Sequence, residues 1–365
     1  MSLQKEIFKK GNKGTALLEQ TLIEEQEDVD DSGKVIEEEA KKSNIRSFST
    51  LKKYAPDGSN YENYEILDQI LVYIFRVYDI QGKSANNSSP LFVLHHGAGY
   101  SALTFALAAL HIKNLTNGES TIFAYDCRGH GKTKTSDDLN LSLGQLSQDL
   151  VDVLKAAFGN DVITNREIFL VGHSMGGCVV ADVMSRKLIS SATCMAVIDV
   201  VEGSAMEALS GMLNFCRNRP SEFKTLEDAI LWSKKSGSIR NIESARISIP
   251  CLLTEQETHT NIKKYTWRTD LAATQPHWEG WFSGLSEKFL SSNAAKLLIL
   301  AGTDRLDKPL TIAQMQGKYQ LMVLPEAGHM VQEDIPERTA SALVDFWKRN
   351  EKLILPVKKP FINDK

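Results

Sequence analysis

Five cysteines in 365 residues are too few and too scattered to staple a fold. They stand singly at Cys127, Cys178, Cys194, Cys216 and Cys251, with no C-x-x-C pair and an odd total. That pattern argues against a disulfide scaffold and fits reduced thiols in a cytoplasmic or nuclear compartment. Cys178 reads as small packing rather than as a nucleophile. No apolar run reaches the about 18 residues that a membrane-spanning helix requires. Basic charge does not predominate either: 42 Lys and Arg against 46 Asp and Glu give a net charge of −4, so nucleic acid is not an expected partner. The opening MSLQKEIFKKGNKGTALLEQ lacks the compact apolar stretch and small-residue cleavage site of a secretory signal, so none is expected. His, Cys and carboxylate spacings suited to a metal are missing, as are a Walker loop and a dinucleotide fingerprint. No metal and no cofactor are expected.

What is present is an ordinary globular composition, 42% hydrophobic and 24% charged, in a chain long enough for a large core. Residues 1–40 carry eleven acidic side chains against five basic ones. Such a segment buries too little apolar surface to offset its ordering entropy, so residues 1–45 read as a mobile acidic tail. Residues 46–350 then read as one domain, and 351–365 as a C-terminal tail.

From residue 70 a rhythm sets in. ILVYIFRVYDI alternates like an outer strand, and SPLFVLHHGAG is a buried strand ending in glycines, followed by a helical SALTFALAALHIKNL. STIFAYDCRGHGKT repeats that design, and EIFLVGHS, CMAVIDVVEG, AKLLILAGTDR and YQLMVLPEAGH are further strands. IPERTASALVDFWKRN closes the series as a helix, with Pro336 suited to its first turn. Strands without polar alternation, separated by helices, predict an α/β fold with a mostly parallel central sheet and helices on both faces. Ligands of such sheets bind beyond the carboxyl ends of the strands. Residues 204 to about 290 break the rhythm with several helical patterns, and YTWRTDLAATQPHWEGWFSGLSEKF within them holds three tryptophans, which predicts a cap inserted over the site.

The chemistry centres on IFLVGHSMGG, residues 168–177. G-x-S-x-G alone is a weak pattern. A buried strand before it and a helix after it make it the nucleophile elbow of α/β-hydrolases, a strained turn that lifts the Ser174 hydroxyl above the sheet. Serine needs a base, and His329 follows a late strand, downstream of the serine as that fold requires. His173, inside the elbow, would point away from the hydroxyl and serves shape or packing; His130 is not a catalytic candidate. For the carboxylate that holds the histidine tautomer, both Asp199 and Asp304 satisfy chain order, and strand position favours Asp304. The oxyanion needs two backbone donors, expected from Met175 at the helix start and Ala98 in HHGAG. Asp126 and Arg128 read as ties within their own loop.

Six stretches narrow the family: LVGHSMGG, IDVVEGSAMEAL, SGSIRNIESAR, WEGWFSGLS, AGTDRLDKPLTIAQMQGKYQ and LPEAGHMVQEDIPE. Together, across residues 60–348, they resemble the protein phosphatase methylesterase family. The resemblance implies a serine esterase whose substrate is the methylated C-terminal leucine of the protein phosphatase 2A catalytic subunit, which is then its partner. It puts the nucleophile on Ser174, the base on His329 and the acid on Asp199, against the preference for Asp304. HHGAGY departs from the family at Ala98, where a third consecutive glycine is usual; a backbone donor is unaffected by that change. On this reading some of the seven basic residues between 217 and 246, Arg240 and Arg246 first, would grip the phosphatase tail. A general small-molecule carboxylesterase or lipase, and a hydrolase-fold protein that mainly binds the phosphatase, are the competing readings.

Overall fold

The computed structural model describes residues 50–54, 60–68, 71–82, 89–257, 263–302 and 306–351. The acidic segment 1–45, the C-terminal segment beyond residue 351 and Asp304 lie outside the described residues.

Nine strands form one sheet in the order β1-β2-β3-β5-β4-β6-β7-β11-β12. β1 (Thr50–Tyr54), β2 (Asn60–Asp68) and β3 (Leu71–Ile80) are an antiparallel edge, which meets β5 (Thr121–Tyr125) antiparallel. From β5 onward every pairing is parallel, through β4 (Leu91–His95), β6 (Ile168–His173), β7 (Ala192–Ile198), β11 (Ala295–Leu300) and β12 (Gln320–Val323). The expected parallel sheet is therefore present, and β1 and β2 add an antiparallel edge outside the strand expected at 70–80.

Both faces of the sheet are covered, which is why its strands show no polar alternation. Along β4, Leu91 and Val93 enter one core while Phe92 and Leu94 enter the other; along β6, Ile168 and Leu170 separate from Phe169 and Val171 in the same way. The first face packs against α2 (Leu143–Phe158) and α3 (Met175–Ser185). The second packs against α1 (Ala106–Leu115) and α10 (Pro336–Asn350), the latter opening on Pro336 as expected. α3 is buried at all but its last residue, so apart from Asp182 its side chains are apolar or small, with little helical amphipathicity.

Between β7 and β11 the chain leaves the sheet. α4 (Glu202–Asn218) lies across the carboxyl ends of the strands, followed by β8 (Glu222–Phe223), α5 (Leu226–Ser236) and α6 (Ile242–Ser248). β9 (Leu253–Glu257) and β10 (Lys263–Trp267) complete a small antiparallel sheet with β8. α5 and α6 start on side-chain caps, Thr225 Oγ1 accepting from the Asp228 N–H at 3.1 Å and Asn241 from the Glu243 N–H at 3.0 Å. This unit has its own apolar core, with Phe223, Ile239, Ile249, Leu252 and Leu253, and it includes Met330 from the main domain. α7 (Gln275–Phe282) and α8 (Leu285–Ser291), within the same stretch, do not belong to it. Trp278, Trp281, Phe282, Leu285 and Phe289 are buried in the main core against α3. Of the four tryptophans between β7 and β11, then, Trp232 and Trp267 pack in the cap. α9 (Lys308–Met315) follows β11 and opens on Asp307, whose carboxylate accepts from the Leu310 N–H at 3.0 Å.

Candidate active site

β6 ends on Gly172-His173, and the chain turns into α3 through Ser174, which sits at φ 52° and ψ −120°. Such a conformation is costly for a residue with a Cβ, and it holds only because the surroundings over-determine it. Two glycines make the turn that tight. A Cβ on Gly172 would fall 2.1 Å from the Gly176 carbonyl oxygen, and one on Gly176 would fall 2.3 Å from that of His95. The elbow read from the sequence is present, strand, strained serine and buried helix included.

Ser174 lines a cavity of about 490 Å³ beneath α4 and the cap. Asp199 and His329 line it too, as do Ala98 and Met175. Asp199 follows β7, also at positive φ (51°), and His329 follows β12. Their side chains meet: Asp199 Oδ2 lies 2.8 Å from His329 Nδ1, with the carboxylate fully buried and the imidazole 45% exposed. The second carboxylate oxygen accepts from the Ala301 N–H at 2.9 Å, which fixes its plane. Strand position had favoured Asp304, but Asp199 is the carboxylate that reaches His329. β7 and β11 are adjacent and parallel. The positive φ at Asp199 turns its side chain toward His329.

The Ser174 hydroxyl and the N–H groups of Ala98 and Met175 have no hydrogen-bond partner among the described residues. The two N–H groups are thus open to an acceptor in the cavity, and the α3 N-terminus adds its positive dipole end. The loop carrying Ala98 is held from behind. His130 Nε2 accepts from the Gly99 N–H at 2.8 Å while its other nitrogen donates to the Arg128 carbonyl at 2.8 Å. Burial lowers the His130 pKa to about 4, so the ring stays neutral and can accept. Arg128 pairs bidentately with Asp149 at 2.5 and 2.6 Å, and Asp126 accepts from the Ala102 and Lys132 N–H groups. These are the loop ties expected of Asp126 and Arg128; the part His130 plays was not foreseen.

His173 points away from the cavity, as expected, but it has a specific contact. Its Nε2–H donates to the His329 carbonyl at 2.8 Å, and burial depresses its pKa to about 3. The elbow and the His329 loop are therefore bonded directly. Asp334 adds a second tie by accepting from the Gly328 N–H at 2.7 Å.

Arg240 and Arg246 do not line the cavity. Arg240 is a strut between cap and loop: its N–H donates to Asp334 at 2.6 Å and its guanidinium to the Glu326 carbonyl at 2.9 Å. Arg246 pairs with Glu243 at 2.8 Å, one turn away on α6. The cation that does line the cavity is Arg219, just past the end of α4. Nothing in its local sequence distinguishes it from the six other basic residues of that stretch, because its neighbours come from β10 and the following loop.

Glu333, four residues after His329, is buried beside the Ser248 hydroxyl. Burial outweighs the Ser248 hydroxyl and, with the charge of Asp334, pushes the Glu333 pKa up from 4.5 to about 8. The folded state therefore holds this proton more tightly than the unfolded chain. The stability this provides is full below pH 4.5 and is lost as the pH climbs through about 8. We expect Glu333→Gln to gain thermal stability relative to the parent between pH 5 and pH 8.5. Parallel melting-temperature curves across that range would contradict it.

No helix among the described residues is long and apolar enough to cross a membrane. Among those residues, no two cysteines form a disulfide.

Known proteins resemble this chain at both levels. The sequence pattern of the family described as "Alpha/beta hydrolase family" matches residues 92–342. "Protein phosphatase methylesterase 1" of Aspergillus fumigatus is 50% identical over 285 residues, covering 74% of this chain and 67% of that one. The Schizosaccharomyces pombe protein of the same name is 46% identical over 271 residues, covering 73% and 77%. "Probable protein phosphatase methylesterase 1" of Caenorhabditis elegans is 46% identical over 278 residues, covering 76% and 72%. Among solved structures, a peroxisomal alpha-beta-hydrolase from Saccharomyces cerevisiae superposes with a TM-score of 0.61 at 13% identity, covering 87% of this chain and 93% of that one. An E-2-(acetamidomethylene)succinate hydrolase gives 0.58 at 17% identity, covering 83% and 100%; such likenesses concern the fold alone.

Proposed function

This chain belongs to the alpha/beta hydrolase family and, within it, to the protein phosphatase methylesterases; from that premise we propose the substrate and the chemistry. It is a carboxylic ester hydrolase acting on a methylated protein phosphatase. The substrate is the methyl ester on the C-terminal leucine of the protein phosphatase 2A catalytic subunit. The observation that carries the reading is the Asp199–His329 pair at 2.8 Å, sharing one cavity with a strained serine and two unengaged N–H groups.

In the proposed cycle the leucine ester carbonyl sits against Ser174, its oxygen toward the Ala98 and Met175 N–H groups. Asp199 keeps the proton of His329 on Nδ1, leaving Nε2 free to take the serine proton. The hydroxyl attacks, and the two N–H groups and the α3 dipole stabilise the oxyanion. His329 then returns the proton to the leaving methoxide, methanol departs, and the acyl group remains on Ser174. Water, deprotonated by the same imidazole, releases the free carboxylate. The apolar wall of the cavity, Val200, Val201, Ala205 and Met212 among it, suits the leucine side chain.

The test is incubation with the methylated phosphatase catalytic subunit, reading methyl loss and methanol release, beside a small activated ester such as p-nitrophenyl acetate. Demethylation of the phosphatase is the expected result. Turnover of the activated ester with the phosphatase left methylated would favour a general carboxylesterase. Stable binding without turnover of either would favour a binding protein.

A further inference from the structure

Arg219 stands out in a mostly apolar cavity. Among the described cavity-lining residues it is the one Lys or Arg, and the carboxylate that shares the lining, Asp199, is bonded to His329. Its guanidinium carbon lies 4.5 Å from the centroid of the Trp267 ring, so the group is stacked on the cap sheet. One Nη donates to the Thr269 carbonyl at 3.4 Å, and among the described residues the guanidinium forms no ion pair, Asp270 acting on it only through space. Burial lowers its pKa from the ordinary 12.5, which makes an incoming anion more welcome. A planar guanidinium held in place by stacking, with its other N–H groups unused, is organised for bidentate contact with a carboxylate.

We propose that Arg219 is a specificity-determining residue: it binds the carboxylate of an aspartate or glutamate lying upstream of the methyl ester in the substrate tail. The inference rests on the methylesterase reading and adds the substrate's charge to it. The substrate class becomes an acidic peptide methyl ester. A lipid ester or a wholly apolar acyl group would fill the same cavity while stripping water from an unpaired guanidinium, which costs affinity. An acidic tail instead completes the ion pair. The ester end lies at Ser174 under α4, and the acidic side chain at the cap edge of the same cavity.

The experiment uses the full chain and peptides ending in leucine methyl ester, with aspartate or asparagine at each of several upstream positions. In the parent protein, one position should favour aspartate over asparagine in kcat/KM by about tenfold, the range of a charge-assisted hydrogen-bonded pair. Arg219→Gln should bring that ratio to about one. Arg219→Lys, which keeps charge but not the plane, should retain part of it, and Arg219→Glu should reverse it toward a lysine-containing peptide. Because each ratio is taken within one variant, a general loss of folding cancels, and thermal unfolding checks each variant. A preference that survives Arg219→Gln, or its absence at every position in the parent, overturns the proposal. Failure of the methylesterase reading looks different: no leucine methyl ester is cleaved while p-nitrophenyl acetate is.

Discussion

Ser174→Ala should leave a folded protein that no longer releases methanol from the methylated phosphatase, with kcat lower by a factor on the order of 10⁶. The expected loss is that large because the hydroxyl is the atom that bonds to the substrate. His329 and Asp199 have nothing to activate without it. What survives is the contribution of the oxyanion donors and of binding, which in serine hydrolases leaves a small residual rate over water. The fold should tolerate the change. The positive φ of Ser174 is already borne by a residue with a Cβ, and its hydroxyl makes no hydrogen bond among the described residues. Methanol release and circular dichroism on the same sample separate the two effects. A variant within tenfold of the parent would remove Ser174 from the mechanism.

Asp199→Asn is the second large effect, a fall of about 10⁴ in kcat with the structure nearly unchanged. The geometry shows how an isosteric change does this. One oxygen of Asp199 accepts from the Ala301 N–H and the other faces His329 Nδ1. An asparagine has one oxygen and one NH₂ for these two positions. With its oxygen on the Ala301 N–H, its NH₂ confronts His329 Nδ1 and forces that nitrogen to accept. The ring proton then moves to Nε2, the atom that must take the proton of serine. The opposite flip sets NH₂ against the Ala301 N–H, two donors with nothing between them. That second arrangement would keep the active tautomer but is opposed by the clash of donors, so the first, with the inactive tautomer, prevails. Rates of demethylation for Asp199→Asn and Asp304→Asn, measured together, decide the point: normal activity in the first and loss in the second would move the acid to Asp304.

Ser174 could be found in the sequence because its constraints are local. A buried strand, small residues on both sides and an apolar helix within some twenty positions are what an elbow requires, and each can be read from the chain. His329 was reachable by chain order, since the topology of a doubly covered parallel sheet fixes which strand ends come after the serine. Asp199 and Asp304 were not separable by position alone. Both follow strands downstream of the serine in the sequence, and what brings Asp199 to His329 is its backbone angle and the placement of the Ala301 N–H. The resemblance to the methylesterases chose Asp199, and the carboxylate found against His329 is the same one.

The cap shows the opposite case. Its amphipathic helices could be anticipated, but not which of its charges reach the cavity. Arg240 and Arg219 sit in similar surroundings in the sequence, yet one is tied to the Glu326 carbonyl and Asp334 and the other stacks on Trp267. His130 and Glu333 belong here as well, a histidine made useful by burial as a neutral acceptor and a carboxyl held protonated by it.

By itself, then, the sequence determined the layered sheet, the elbow and the histidine, because hydrophobic period and steric bulk act over short stretches and the topology orders the rest. The tertiary structure decided the acid's contact, the neutral tautomers that brace the loops and, among the described residues, the one Lys or Arg that lines the cavity. Each of these depends on distance and on exclusion of water between residues far apart in the chain, and neither quantity is written in the order of the amino acids.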